Sequence, residues 1–204
     1  MEDDRSILRS IPKLMNKSIF SALLVSWALA RAAAGADTYE IDPVHSFVLF
    51  KVSHFGAGYV YGRFTGGLSG TMSIDSAAPD KSTVEVEVKT DTLDTGFAQR
   101  DKDIKSPDFL NVKQFPVVSF KSKSVQKVSD QQYTVTGDLT FHGATKPMTV
   151  QANITGQGKG PKGEVLTGAE IHFTIKRSEY GVNYGLPALG DDVELTVAVE
   201  GVRK

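Results

Sequence analysis

The sequence contains no cysteine. That excludes disulfides, thiolate metal sites and a lipidated N-terminal cysteine, and leaves the fold to rest on sheet and core. Histidine is scarce as well. Its four copies, His45, His54, His142 and His172, include no pair at metal-ligand spacing such as H-x-x-x-H. There is no G-x-S-x-G nucleophile elbow and no glycine-rich phosphate loop opening a helix. The glycine-rich stretch at Gly156, Gly158 and Gly160 reads as a hairpin turn between two strands. Asp191 and Asp192 are adjacent, so strand alternation turns them to opposite faces, which argues against a paired acid/base role. The single tryptophan is Trp27. No apolar run approaches the roughly 20 residues a bilayer span needs.

The first 36 residues differ in kind from the rest. A basic Lys17, an apolar run from Ile19 to Ala30 and small residues ending in Ala34-Gly35-Ala36 read as a secretory leader cut before Asp37. Glu2, Asp3 and Asp4 are atypical of such a leader's start, which points to translation beginning at Met15. The leader carries five basic and three acidic residues, so 23 basic and 24 acidic side chains become 18 and 21 in the mature chain. A net charge near −3 gives no electrostatic case for nucleic acid or an anionic membrane. Residues 37–204 are enough for one domain with a sizeable core.

What the mature chain does have is period two. From Val60 to Ile74 every even residue is apolar or glycine, including Gly62, Phe64, Gly66, Leu68 and Gly70, and the odd ones are almost all polar. Seven further segments alternate the same way. The first turns Val48, Phe50, Val52 and His54 inward, the third Val84, Val86 and Val88, and the fourth Val118 and Phe120. The fifth offers Tyr133 to Phe141 with Leu139, the sixth Met148 to Ile154, the seventh Ala169 to Ile175 with Phe173 before Arg177, and the eighth Val193 to Val199.

Most connections are short, which joins antiparallel neighbours and favours an all-β, eight-stranded, up-and-down barrel over the alternative two-layer sandwich. Two connections are long. Thr90 to Pro116 contains a helical stretch, Phe97 to Lys105, stopped by Ser106-Pro107, and so places a short helix between strands 3 and 4; the other runs from Ser178 to Asp192. Meander topology gathers His54, both long loops, His142 and Arg177 at one rim, the candidate mouth, with His45 at the opposite end.

An eight-stranded barrel either fills itself or holds one small ligand. Here Gly62, Gly66, Gly70, Gly137, Ala152 and Ala169 sit among the inward residues, leaving room; alternatively the glycines only let strands coil. Arg177, read as inward, either receives a polar or anionic headgroup together with His54 and Arg100, or pairs with Asp101 or Asp191 to close the rim. His45 reads as a structural histidine bonded to loop backbone, and His142 and His172 as outward. Phe47 and Leu49, also outward, offer a surface patch or a homodimer interface.

Residues along the whole mature chain resemble the YceI-like family. They are Asp42-Pro43-Val44-His45-Ser46, Val52-Ser53-His54, Gly62-Arg63-Phe64, Arg100-Asp101 with Ser106-Pro107-Asp108-Phe109, Gly137-Asp138-Leu139-Thr140-Phe141-His142-Gly143, Arg177 before Gly181, and Gly190-Asp191-Asp192. The resemblance implies a lipocalin-like barrel, exported to the periplasm, holding a polyisoprenoid or other long-chain lipid inside. One departure is Asp103, where the family often carries a histidine two residues after Arg-Asp, so a headgroup contact assigned to that histidine stays open here.

Together these readings predict a non-catalytic carrier without cofactor or metal. The ligand tail threads among Phe50, Phe64, Leu68, Val86, Phe120, Leu139 and Phe173, and several isoprene units would gain on the order of 10 kcal/mol before ordering costs. The alternatives are an enzyme acting on a lipid-like substrate at the rim, and a stress or interaction module without ligand.

Overall fold

The structure, a computed structural model, describes residues 35–204. The leader's apolar run, Trp27 and the start at Met15 lie outside the described residues. The strands are β1 (Asp37–Ile41), β2 (Phe47–His54), β3 (Gly58–Phe64), β4 (Leu68–Ile74), β5 (Thr83–Lys89), β6 (Leu93–Asp94), β7 (Val117–Ser129), β8 (Gln132–Phe141), β9 (Ala144–Lys159), β10 (Val165–Lys176) and β11 (Leu189–Arg203). Helix α1 (Ala98–Lys105) lies between β6 and β7.

Hydrogen-bonded neighbours run β1-β4-β5-β7-β8-β9-β10-β11, and β11 pairs back to β1, so eight antiparallel strands close into a ring. Closure satisfies edge groups that an open sheet would expose. Of the three strands outside this ring, β2 and β3 are continuations and the two-residue β6 pairs with β3. β2 follows β1 along the same flank of β11, with Tyr39 opposite Arg203 and Phe50 opposite Leu195. β3 leads into β4 and pairs with β2. The alternating stretch from Val60 to Ile74 is therefore one barrel strand broken at Thr65-Gly66-Gly67, where Gly66 has φ +62°.

β1 carries no long alternation. Its only apolar inward residues are Tyr39 and Ile41, both deeply buried. They join Val48, Leu68, Met72, Ala169 and Val199 in a packed cluster that plugs the β1 end of the barrel. Its valine, leucine, isoleucine and methionine side chains each contribute about 1.5–3 kcal/mol on burial. The other end carries the long loops. The β9–β10 hairpin also reaches further than its glycines imply, turning at residues 160–164, while Gly156 sits at a bulge opposite Gly168.

The inward glycines do not make the interior roomy, which decides between the two readings of them. A Cβ on Gly70 would meet the Glu85 carbonyl oxygen, and one on Gly137 the Lys121 carbonyl oxygen. Both mark close approach of neighbouring strands. Gly70→Ala is expected to cost about 3 kcal/mol, because φ is +142° and backbone stands in the way. Gly66→Ala, with nothing within 4 Å, should cost only about 1–2 kcal/mol of left-handed strain. Urea unfolding of the two variants checks the ranking; equal midpoints would refute the close packing of β4 on β5.

Candidate functional site

The barrel encloses one large cavity of about 740 Å³, lined by inward residues of every ring strand except β1 and by both long loops. Its floor is the packed cluster, contributing Leu68, Met72 and Val199. On one wall Phe50, Leu195 and Phe173 stand in register on β2, β11 and β10. On the other, Val86, Phe120 and Leu139 do the same on β5, β7 and β8. The Phe50 and Phe64 rings lie 6.0 Å apart, centroid to centroid.

What leaves the centre open is valine. Val52, Val60, Val84, Val118, Val135 and Val193 all face the cavity, and a valine side chain is too short to reach the barrel axis. Ala152 and Ala169 add to that room from β9 and β10.

Ten of the twelve candidate ligand residues line this cavity: Phe50, His54, Phe64, Leu68, Val86, Arg100, Phe120, Leu139, Phe173 and Arg177. Gly62 and Gly66 do not. A Cβ on Gly62 would run into the Phe50 ring, so that glycine seats the aromatic side chain. Gly66 is exposed in the turn between β3 and β4. The alternation passes through it without a strand being there.

The rim is built by the loops. Asp101 accepts hydrogen bonds from the Thr95 N–H, at 2.9 Å, and from its hydroxyl, tying the start of α1 to the end of β6. The helix stops at Ser106, whose extended backbone (ψ 169°) suits the residue before Pro107. Ile104, Phe109 and Leu110 reach into the cavity from this loop, and Val182, Tyr184 and Leu189 from the other. The loops meet where the Phe109 and Tyr184 rings pack edge to face, 5.0 Å apart. These side chains have no period in sequence, so only the lengths of their loops announced them.

Arg177 is 5% exposed, and its partners are neither of the expected acids. Its guanidinium donates to four backbone carbonyls. Nε reaches Gly190 at 2.8 Å, Nη1 reaches Val182 at 2.9 Å and Tyr184 at 3.0 Å, and Nη2 reaches Leu189 at 3.0 Å. Burial draws its pKa down and the charge of Asp191 draws it up, but a guanidinium stays protonated throughout. Asp191 instead accepts from the Ser178 N–H and hydroxyl, and the Ser178 N–H bond holds its carboxyl below the usual range. Asp101 is spent on Thr95. Arg177 thus clamps the loop from Val182 to Gly190 over the mouth.

The histidines divide by place. His54 lines the mouth, edge-on to Phe55 at 4.6 Å. His142 is not outward, because left-handed backbone at His142 and Gly143 (φ +49° and +79°) breaks the alternation. Its ring packs tilted against Phe115, centroids 4.3 Å apart, Nδ1 lies 3.0 Å from the Tyr180 carbonyl, and Nε2 is buried without a partner. His172 is outward, on Glu170 and Thr196.

His45, in the β1–β2 turn, bonds the Asp42 carboxylate at 2.8 Å rather than loop backbone. That bond raises the imidazole pKa and, seen from the other side, lowers that of Asp42. With Glu200 these two have ligating atoms within 4.8 Å of one another. The group lies apart from the cavity lining, and its exposed ion pair caps a turn.

Among the described residues no helix is long and apolar enough to cross a membrane. A family model described as the YceI-like domain matches residues 39–201. A UPF0312 protein of Pseudomonas putida is 40% identical over 193 residues, spanning 93% of this chain and 100% of that protein. Among solved structures, BcnA of Burkholderia cenocepacia superposes with a TM-score of 0.70 at 20% identity, covering 78% of this chain and 98% of that one. A polyisoprenoid binding domain from Saccharophagus degradans superposes with a TM-score of 0.63 at 16% identity, covering 81% and 98%. With its closed eight-stranded barrel and a family match over nearly all the described residues, the chain belongs to the YceI-like family.

Proposed function

We propose that this protein is a non-catalytic carrier or store for a long-chain apolar lipid of the polyisoprenoid class, exported to the periplasm by the leader read in residues 1–36. The carrying observation is the apolar barrel cavity of about 740 Å³, plugged at the β1 end and rimmed by loops at the other. Its volume lies in the range of ligand sites rather than packing defects. At interior packing density a carbon takes roughly 20–25 Å³, so the cavity accommodates about thirty carbons, some six isoprene units. Walls of valine, leucine, isoleucine and phenylalanine offer apolar contact, worth about 0.8 kcal/mol per buried methylene before ordering costs. The name of the Saccharophagus degradans domain supports the same ligand class. A binding role accords with a rim where Arg177, Asp101 and Asp191 are all engaged in holding loops.

The test is mass spectrometry of organic extracts from the purified protein, followed by loading with polyprenols of graded length. Affinity is expected to rise with chain length to about thirty carbons and then level off. Recovery of no lipid, together with no uptake of any polyprenol, would overturn the proposal.

A further inference from the structure

The cavity has two guanidinium groups in its lining and no lysine, so its capacity for an anionic headgroup depends on what those guanidiniums are doing. Arg177 has four of its five N–H groups on backbone carbonyls. Arg100 donates through Nε to the Thr95 hydroxyl and through Nη2 to the Thr95 carbonyl, both at 2.8 Å, and lies 5.8 Å from the Phe97 ring centroid. Both N–H groups of its Nη1 and the second N–H of Nη2 have no protein partner there. Asp103 follows three residues later on the same helix, α1.

Asp103 and Asp108 are among the residues of the same rim, and both are exposed. Asp103 accepts one bond, from the Gln99 amide at 2.9 Å. Ser53, Ser106, Ser119, His54 and Tyr184 supply the remaining polar groups of the lining. An anion leaving water needs charge-assisted donors in return. At this mouth a phosphorylated head meets two carboxylates and one partly engaged arginine, whereas a hydroxyl or carbonyl head meets donors and acceptors it can use.

Resting on the lipid-binding reading above, we propose that the cavity selects lipids with an uncharged polar head and discriminates against the phosphorylated form of the same tail. Asp103 and Asp108 are the source of the discrimination. Because both acids face solvent, their repulsion is screened by salt, while the apolar contacts of the tail are not.

The experiment compares a six-isoprene alcohol with its diphosphate, each displacing a fluorescent fatty probe from the protein. The alcohol is expected to bind at least about tenfold more tightly at low salt, with the ratio shrinking as salt rises above the physiological range. In the double variant Asp103→Asn, Asp108→Asn the ratio should fall to within about threefold of unity. Equal or tighter binding of the diphosphate by the wild-type protein would overturn the selection, as would a ratio indifferent to salt and to the double substitution. In those cases the lipid-binding reading stands. If neither compound displaces the probe or binds directly, that reading falls and the selection falls with it.

Discussion

Ala152→Phe is expected to abolish uptake of a thirty-carbon lipid while the barrel stays folded. Ala152 lies on β9 between Tyr133 of β8 and Ile171 of β10, and it faces the cavity. A phenyl ring at that point enters open space, so the overpacking penalty of a filled core does not arise. It covers roughly 150–250 Å² that the ligand would otherwise contact. At about 25 cal/mol per Å² this is on the order of 4 kcal/mol, which is at least about 100-fold in affinity. Gln151→Phe is the control. Gln151 points outward, bonded to Thr134, so the same ring one residue away should leave binding intact. Circular dichroism checks the fold and lipid displacement checks the cavity. A wild-type lipid load in Ala152→Phe would mean that the ligand lies elsewhere.

The same volume test at Gly66 would measure something different. The alternation from Val60 to Ile74 makes Gly66 an inward position, but its turn places it in solvent, and a side chain there subtracts nothing from the cavity. Period two reports which way a Cβ points only while the chain remains extended, and it says nothing of how near the next strand lies. That is why the inward aliphatics of β2, β5, β7 and β11 are legible residue by residue, while period two alone leaves open whether Gly62, Gly70 and Gly137 make room or seat a neighbour. The room comes from valines, whose signature in sequence is the same as that of a filled barrel.

β1 has no legible signal because five residues with two inward side chains hardly make a period. Its burial of Tyr39 and Ile41 nonetheless closes the ring and the floor. Phe109 and Tyr184 escaped for another reason. Their contact joins two loops whose conformations depend on hydrogen bonds at Thr95 and Arg177, and loop side chains follow no repeat.

Arg177→Ala should destabilise the protein by about 3–5 kcal/mol, a fall in melting temperature of about 10 °C or more for a domain of this size. The sequence points Arg177 inward and nominates Asp101 or Asp191 as its partner, because acids are what a reader can see. Its real partners are backbone carbonyls, which every residue has. Removing the guanidinium strips donors from Gly190, Val182, Tyr184 and Leu189 at once. Each carbonyl left dry costs about 1–3 kcal/mol unless the loop opens to water, and opening separates Tyr184 from Phe109. Arg177→Lys should recover little, since an ammonium has three donors and no planar fork to span four carbonyls. Thermal unfolding and lipid displacement, measured together, separate the two roles offered for this residue. A clamp predicts that stability falls first, with binding weakened as the mouth loop loosens. A headgroup receptor predicts weaker binding with melting within about 3 °C of wild type, and that outcome would return Arg177 to the ligand.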